Sequence, residues 1–156
     1  MYFRKVFLVA GLGILFLIFS SFTTVNFLFC KKQGIEGKVS LIKGNQMPSP
    51  DRPKSSPPGL KTKVYIYELT HSSQAIAASS PVFFSIIKTK LIAEVESDST
   101  GHFKVKLKPG EYSMFIKKDN LFYANITDDK NNLAPVKVEK GKFTQANIRA
   151  DYDAVY

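Results

Sequence analysis

The segment "FKVKLKPGEYSMFIKK", residues 103–118, limits what this chain can fold into more than any other stretch. Phe103, Val105 and Leu107 alternate with Lys104, Lys106 and Lys108. A period of two sends one set of side chains to a core and the other to water, which is strand geometry. Pro109 presets φ and Gly110 is suited to positive φ, so "KPGE" is expected to turn the chain. Tyr112, Met114 and Ile116 then repeat the alternation on the return. No segment after residue 30 carries a helical period, so the expectation is an all-β protein.

The same pattern extends along the chain. In "GIEGKVSL", Ile35, Val39 and Leu41 share a parity and suggest a first strand. "TKVYIYELT", 62–70, is dense in β-branched and aromatic residues, and 82–97 resumes extended structure. "LFYANI" at 121–126 is a further short strand; Val136 and Val138 flank Lys137, and Ala146, Ile148 and Ala150 alternate with Asn147 and Arg149. The result is seven or eight short strands with turns at the spacing of an antiparallel sandwich. Residues 47–61 hold five of the eight prolines and read as a long loop between the first two strands. "HSSQAIAASSP", 71–81, reads as a polar loop with room for one helical turn.

The first thirty residues differ in kind. "MYFRK" carries two positive charges, and no charge follows from residue 6 to residue 30. A basic start, an apolar run and a small polar stretch have the form of a secretory signal. The whole uncharged stretch is also long enough to be retained as a membrane anchor. Cys30 follows directly and resembles the acylated cysteine of a bacterial lipoprotein, although Leu28 and Phe29 stand where that signal carries small residues. Lipidation at Cys30, cleavage near Thr23 or Thr24, and an uncleaved helix remain three alternatives; each puts the remainder, 31–156, outside the inner membrane as one domain.

Composition excludes several chemistries. The single cysteine permits no intramolecular disulfide and no thiolate-rich zinc site. The chain has two histidines and no tryptophan. Of its 22 basic residues two lie in the first five positions, leaving 20 against 13 acidic side chains in residues 31–156. That excess suits an anionic surface, but the lysines are dispersed and no nucleic-acid motif is present, so nucleic acid is not expected as a partner.

"GIEGKVSL", "KVYIYEL" and "SDSTGHFKVKLKPGEYSMFIKK" together resemble the carboxypeptidase regulatory-like domain, over most of residues 34–150. That family's recurrent core is a G-x-V strand, a D-x-x-G-x-F strand and a P-G-x-Y turn. Gly37 and Val39, then Asp98, Gly101 and Phe103, then Pro109, Gly110 and Tyr112 supply it here. The resemblance implies a transthyretin-like, seven-stranded Greek-key sandwich and carries no activity. The chain is also similar to small exported single-domain proteins of Bacteroidota-type bacteria. It departs from the family in its proline-rich loop and in an insertion near 71–83.

The motif residues read as scaffold: Asp98 accepts turn N–H groups, Gly101 takes a turn position, Phe103 fills the core and Tyr112 returns its hydroxyl to backbone. No zinc-peptidase motif or nucleophile elbow marks a catalytic residue. His71 and His102 lack sequence partners, "DDKNN" at 128–132 lacks the ligand spacing of a calcium loop, and "NIT" at 125–127 fits a glycosylation acceptor. Tyr65, Tyr67 and Tyr123 are the candidate ligand contacts, through ring faces if these are exposed. The expectation is a non-catalytic, exported, membrane-tethered envelope protein without cofactor or metal. Its partner would be an envelope protein or a glycan, met through the loops 44–61 and 71–83 or through strand edges. The alternative is a carbohydrate-binding module.

Overall fold

A computed structural model describes residues 32–47, 56–78 and 80–155. The expectations for residues 1–30, lipidation at Cys30 included, fall outside these residues, as does the middle of the proline-rich loop.

Among the described residues, eleven strands form two sheets. The first is built on β1 (Gly34–Asn45). Antiparallel to it runs β6 (His102–Lys106), with Gly34 opposite Lys106 and Lys38 opposite His102. β10 (Phe143–Gln145) and β11 (Ile148–Val155) pair with β1 in parallel, Gly34 opposite Phe143 and Val39 opposite Ile148. These two are nearly one strand, interrupted at 146–147. There the Ala146 N–H still donates to the Glu36 carbonyl at 2.9 Å, and the Asn147 amide oxygen accepts the Lys38 N–H at 2.9 Å.

The second sheet has the order β3 (Ala75–Ala77), β4 (Phe83–Ile87), β8 (Leu121–Tyr123), β7 (Gly110–Lys118), β2 (Lys63–Glu68), β5 (Leu91–Glu96). β9 (Pro135–Val138) also pairs with β7, along its first residues, Gly110 opposite Val138. The β7–β8 hairpin closes on two residues, Asp119 and Asn120, at φ 50° and 66°. That is the left-handed pair a tight hairpin needs, and Asp and Asn tolerate it better than most residues.

The all-β expectation holds, and the structure refines it in four places. The strand count is eleven rather than seven or eight. Residues 82–97 are two strands, β4 and β5, on opposite sides of the sheet. The link between them hydrogen-bonds Lys88 N–H to the Gln74 carbonyl and Glu68 N–H to the Lys90 carbonyl. The 71–81 segment holds a 3₁₀ turn at Ser72–Gln74 and then β3 as an edge strand. Finally, the first and last strands run parallel; alternation reports which face a residue takes and is blind to strand direction.

Two apolar clusters follow from the alternation. One lies between the sheets and joins Ile35, Val39, Phe103 and Ala150 to Val64, Ile66, Met114, Ile116 and Val138. The other covers the outer face of the second sheet with Tyr67, Phe84, Phe115 and Phe122, capped by Ala124 and Leu133 from the segment after β8. Each fully buried aliphatic or aromatic side chain contributes about 1.5–3 kcal/mol of transfer free energy. The second sheet is thus apolar on both faces, so β7 is buried from Tyr112 to Ile116 without alternation.

Candidate functional site

The motif residues are absorbed by the fold. The Asp98 carboxylate accepts from Thr100 N–H at 2.8 Å, Thr100 hydroxyl at 2.6 Å and His102 N–H at 2.9 Å. The Thr100 hydroxyl and the backbone of His102 hold its pKa below the usual carboxylate range. Gly101 sits at φ 85°, and a Cβ there would meet the Val39 carbonyl oxygen at 2.2 Å. Phe103 is buried in the inter-sheet core. The Tyr112 hydroxyl donates to the Lys108 carbonyl at 2.9 Å across the turn carrying Pro109 and Gly110. The chain turns there as expected, but Gly110 opens β7 without using positive φ.

The tyrosines do not form an exposed platform. Tyr67 is buried and packs edge-on against Phe115 and Phe122. Tyr65 is half-exposed, edge-on to Phe122, with the Lys117 ammonium 4.9 Å from its ring centre. Tyr123 is 2% exposed; it packs on Phe83 and Tyr152 and donates its hydroxyl to Asp151. The ring faces of Tyr67 and Tyr123 are thus covered by neighbouring aromatics, although Tyr123 still reaches the lining of the cleft described below.

His71 spends its ring nitrogen on Ser73 N–H, at 3.1 Å, capping the 3₁₀ turn. Asp128 accepts Lys130 and Asn132 N–H at 3.0 and 2.8 Å and the Asn132 side-chain amide at 2.8 Å, so "DDKNN" is a self-satisfied turn. Among the described residues no group of three or more His, Cys, Asp or Glu is placed to hold a metal ion.

What the structure assembles instead is a cleft of about 570 Å³ along one side of the sandwich. It opens between the segment after β8, strand β9 and the β10–β11 strand. Met114, Tyr123, Val136 and Ile148 supply its apolar lining, and Ile126, 54% exposed, stands at its mouth. Asn125, Lys137, Glu139, Lys142, Gln145 and Asn147 form a polar rim. Ala134, at φ 39°, turns the chain into β9 and ties both walls: its N–H donates to the Ile126 carbonyl at 2.8 Å and its carbonyl accepts Met114 N–H at 3.1 Å. A left-handed alanine is uncommon and persists only where surrounding contacts hold it.

The rim has directed polar groups. Asn125 donates to Asp151 at 2.8 Å, beside the Tyr123 hydroxyl. Thr144 donates its hydroxyl to the Lys137 carbonyl at 2.7 Å. Glu139 pairs with Lys142 at 2.6 Å, and the Lys142 ammonium lowers the Glu139 pKa. The two hydroxyls of the lining thus have their protons committed. The arrangement offers an apolar floor with amide and charged groups at its edge, which is the make-up of a binding cleft.

A second, more open depression lies where Lys61, Glu96, Asp98 and His102 meet Glu36 and Lys104. Most of its charges are spent internally, on Lys104–Glu36 at 2.6 Å, Lys61–Glu96 at 3.6 Å and the Asp98 turn, while Lys38 in its lining makes no ion pair among the described residues. Among the described residues, the loops 44–61 and 71–83 contribute none to the lining of the cleft, and β9 and β10 show in the sequence only as short strand patterns. Comparison with protein-family models, curated proteins and solved structures finds no match to this chain.

Proposed function

We propose that this chain is a non-catalytic binding protein of the bacterial cell envelope: an exported, membrane-tethered Greek-key sandwich of the transthyretin-like, carboxypeptidase regulatory-like type. The observation that carries the binding role is the 570 Å³ cleft, with its apolar floor and polar rim. The motif from Asp98 to Tyr112 supports the family reading, since its polar groups serve the turns that hold the strands. The uncharged run from residue 6 to residue 30 supports export and tethering. Among the described residues no helix is long and apolar enough to cross a membrane, so the tether is assigned to that N-terminal run or to lipid on Cys30.

An envelope protein segment suits the cleft better than a glycan. The tyrosine rings that would stack on sugars are turned edge-on to other aromatics, whereas the cleft runs beside β9 and β10, two short strands at sheet edges. Site-specific photo-crosslinking in intact cells tests this. A photoreactive residue at Ile126 or Lys137 is expected to give a discrete adduct, and one at His102 or Lys104 none; equal labelling from all four positions would remove the cleft from the account. Intact mass of the protein from its native membranes tests the tether. A chain starting at acylated Cys30 or retaining residues 6–30 is expected, and a soluble chain starting near Val25 would end the tethering claim.

A further inference from the structure

We propose that the end of the sandwich at which β1 begins is a docking face for anionic lipid headgroups; this rests on the membrane-tethered reading above. Gln33 and Gly34 are the centre of that end. The Gln33 carbonyl accepts Leu107 N–H at 3.3 Å, its side-chain oxygen accepts Gly141 N–H at 3.0 Å, and Gly34 N–H donates to the Lys142 carbonyl at 3.3 Å. These bonds draw the β6–β7 turn and the β9–β10 turn around the point where the chain enters the domain.

Both turns carry lysines. Lys106 lies opposite Gly34 in register, Lys108 follows it, and Lys140 and Lys142 flank Gly141. With Lys32 they make five exposed ammonium groups about one entry point, against Glu111 and Glu139. Lys142 is paired with Glu139; Lys32, Lys106, Lys108 and Lys140 make no ion pair among the described residues. The opposite end differs: there Lys118 is bridged to Asp153, and Asp119 forms the β7–β8 turn.

Position gives the lysines their partner. The uncharged run ends at Cys30, two residues before Lys32. If that run or its lipid holds the membrane, the entry end is the part of the domain that cannot leave the headgroup layer. Electrostatic attraction to anionic lipid falls off within about 8–10 Å at physiological salt, so only charges at this end are near enough to act. Each lysine held there strengthens attachment by about fivefold.

The test uses the chain purified from its native membranes. It is reconstituted with vesicles of phosphatidylcholine, or of phosphatidylcholine with phosphatidylglycerol, and its lysines are acetylated and read by mass spectrometry. Lys106, Lys108, Lys140 and Lys142 are expected to lose reactivity on the anionic vesicles and to regain it in high salt, with Lys63 and Lys117 unchanged. Equal reactivity on both vesicles would overturn the proposal. Flotation of a variant with Lys106, Lys108, Lys140 and Lys142 all changed to Gln checks it separately: the anionic-over-neutral gain is expected to fall at least about tenfold. A wild-type chain that does not float with neutral vesicles would refute the tether alone. Salt-sensitive flotation with anionic vesicles would then still decide the docking face, and its absence would reject it.

Discussion

The turn-rich segment 97–118 and the cleft-forming segment 124–148 are built on opposite plans. In the first, the side chains of the motif close on backbone a few residues away: Asp98 on Thr100 and His102, Tyr112 on Lys108. In the second, two amide side chains of the cleft rim reach across the fold, Asn125 to Asp151 and Asn147 to Lys38, beside the cleft volume. The motif in the first segment can be recognised from its own residues, and its Asp98 and Tyr112 side chains are committed to the turns they hold. The second has the cleft and no local signature. A memorable motif therefore marks where this fold is held, and the adjoining, less regular chain marks where it can bind.

The contrast is sharpened by changes of decreasing effect. Phe103→Ala removes a ring from the inter-sheet core and is expected to cost about 3–5 kcal/mol, read from denaturant unfolding. Gly101→Ala is expected to cost at least about 1–2 kcal/mol from its left-handed backbone, with the clash against Val39 added. Tyr112→Phe leaves the ring and removes one hydrogen bond, for about 1 kcal/mol. None of the three is expected to move cleft labelling in the fraction that remains folded.

Asp98 gives the contrast a pH dependence. Its folded pKa lies below the ordinary value, so its contribution is present above the unfolded pKa near 3.8 and is lost as pH falls through the lower folded value. Acid unfolding curves of Asp98→Asn and wild type are expected to converge below that window and to separate above it, with wild type the more stable. Curves separated equally at every pH would show that the carboxylate charge plays no part. The smallest stability effect belongs to the cleft: Ile126→Ser, at a half-exposed position, is expected to stay within about 0.5 kcal/mol of wild type while abolishing the crosslink from Lys137.

Legibility in the sequence followed the same division. Alternation at Phe103, Val105 and Leu107 revealed strand and core because burial there is one-sided. It could not decide between an exposed and a covered face at Tyr65 and Tyr67, because the cover comes from the segment carrying Ala124 and Leu133 on the outer face of the second sheet. That cover depends on long-range pairing, such as Leu133 N–H to the Thr70 carbonyl at 2.8 Å, which no local pattern encodes. The parallel pairing of β1 with β10 and β11 was invisible for a like reason, since it joins the two ends of the domain. The cleft combines residues from Met114 to Ile148, and its polar members, read singly, are ordinary strand and turn residues.

The most direct test of the account is solution NMR of residues 31–156 with a library of small fragments and short extended peptides, following amide shifts. Binders are expected to move amides at 124–126 and 135–148 and to leave 97–112 in place. Shifts centred on the Asp98–Tyr112 motif, with a silent cleft, would contradict it.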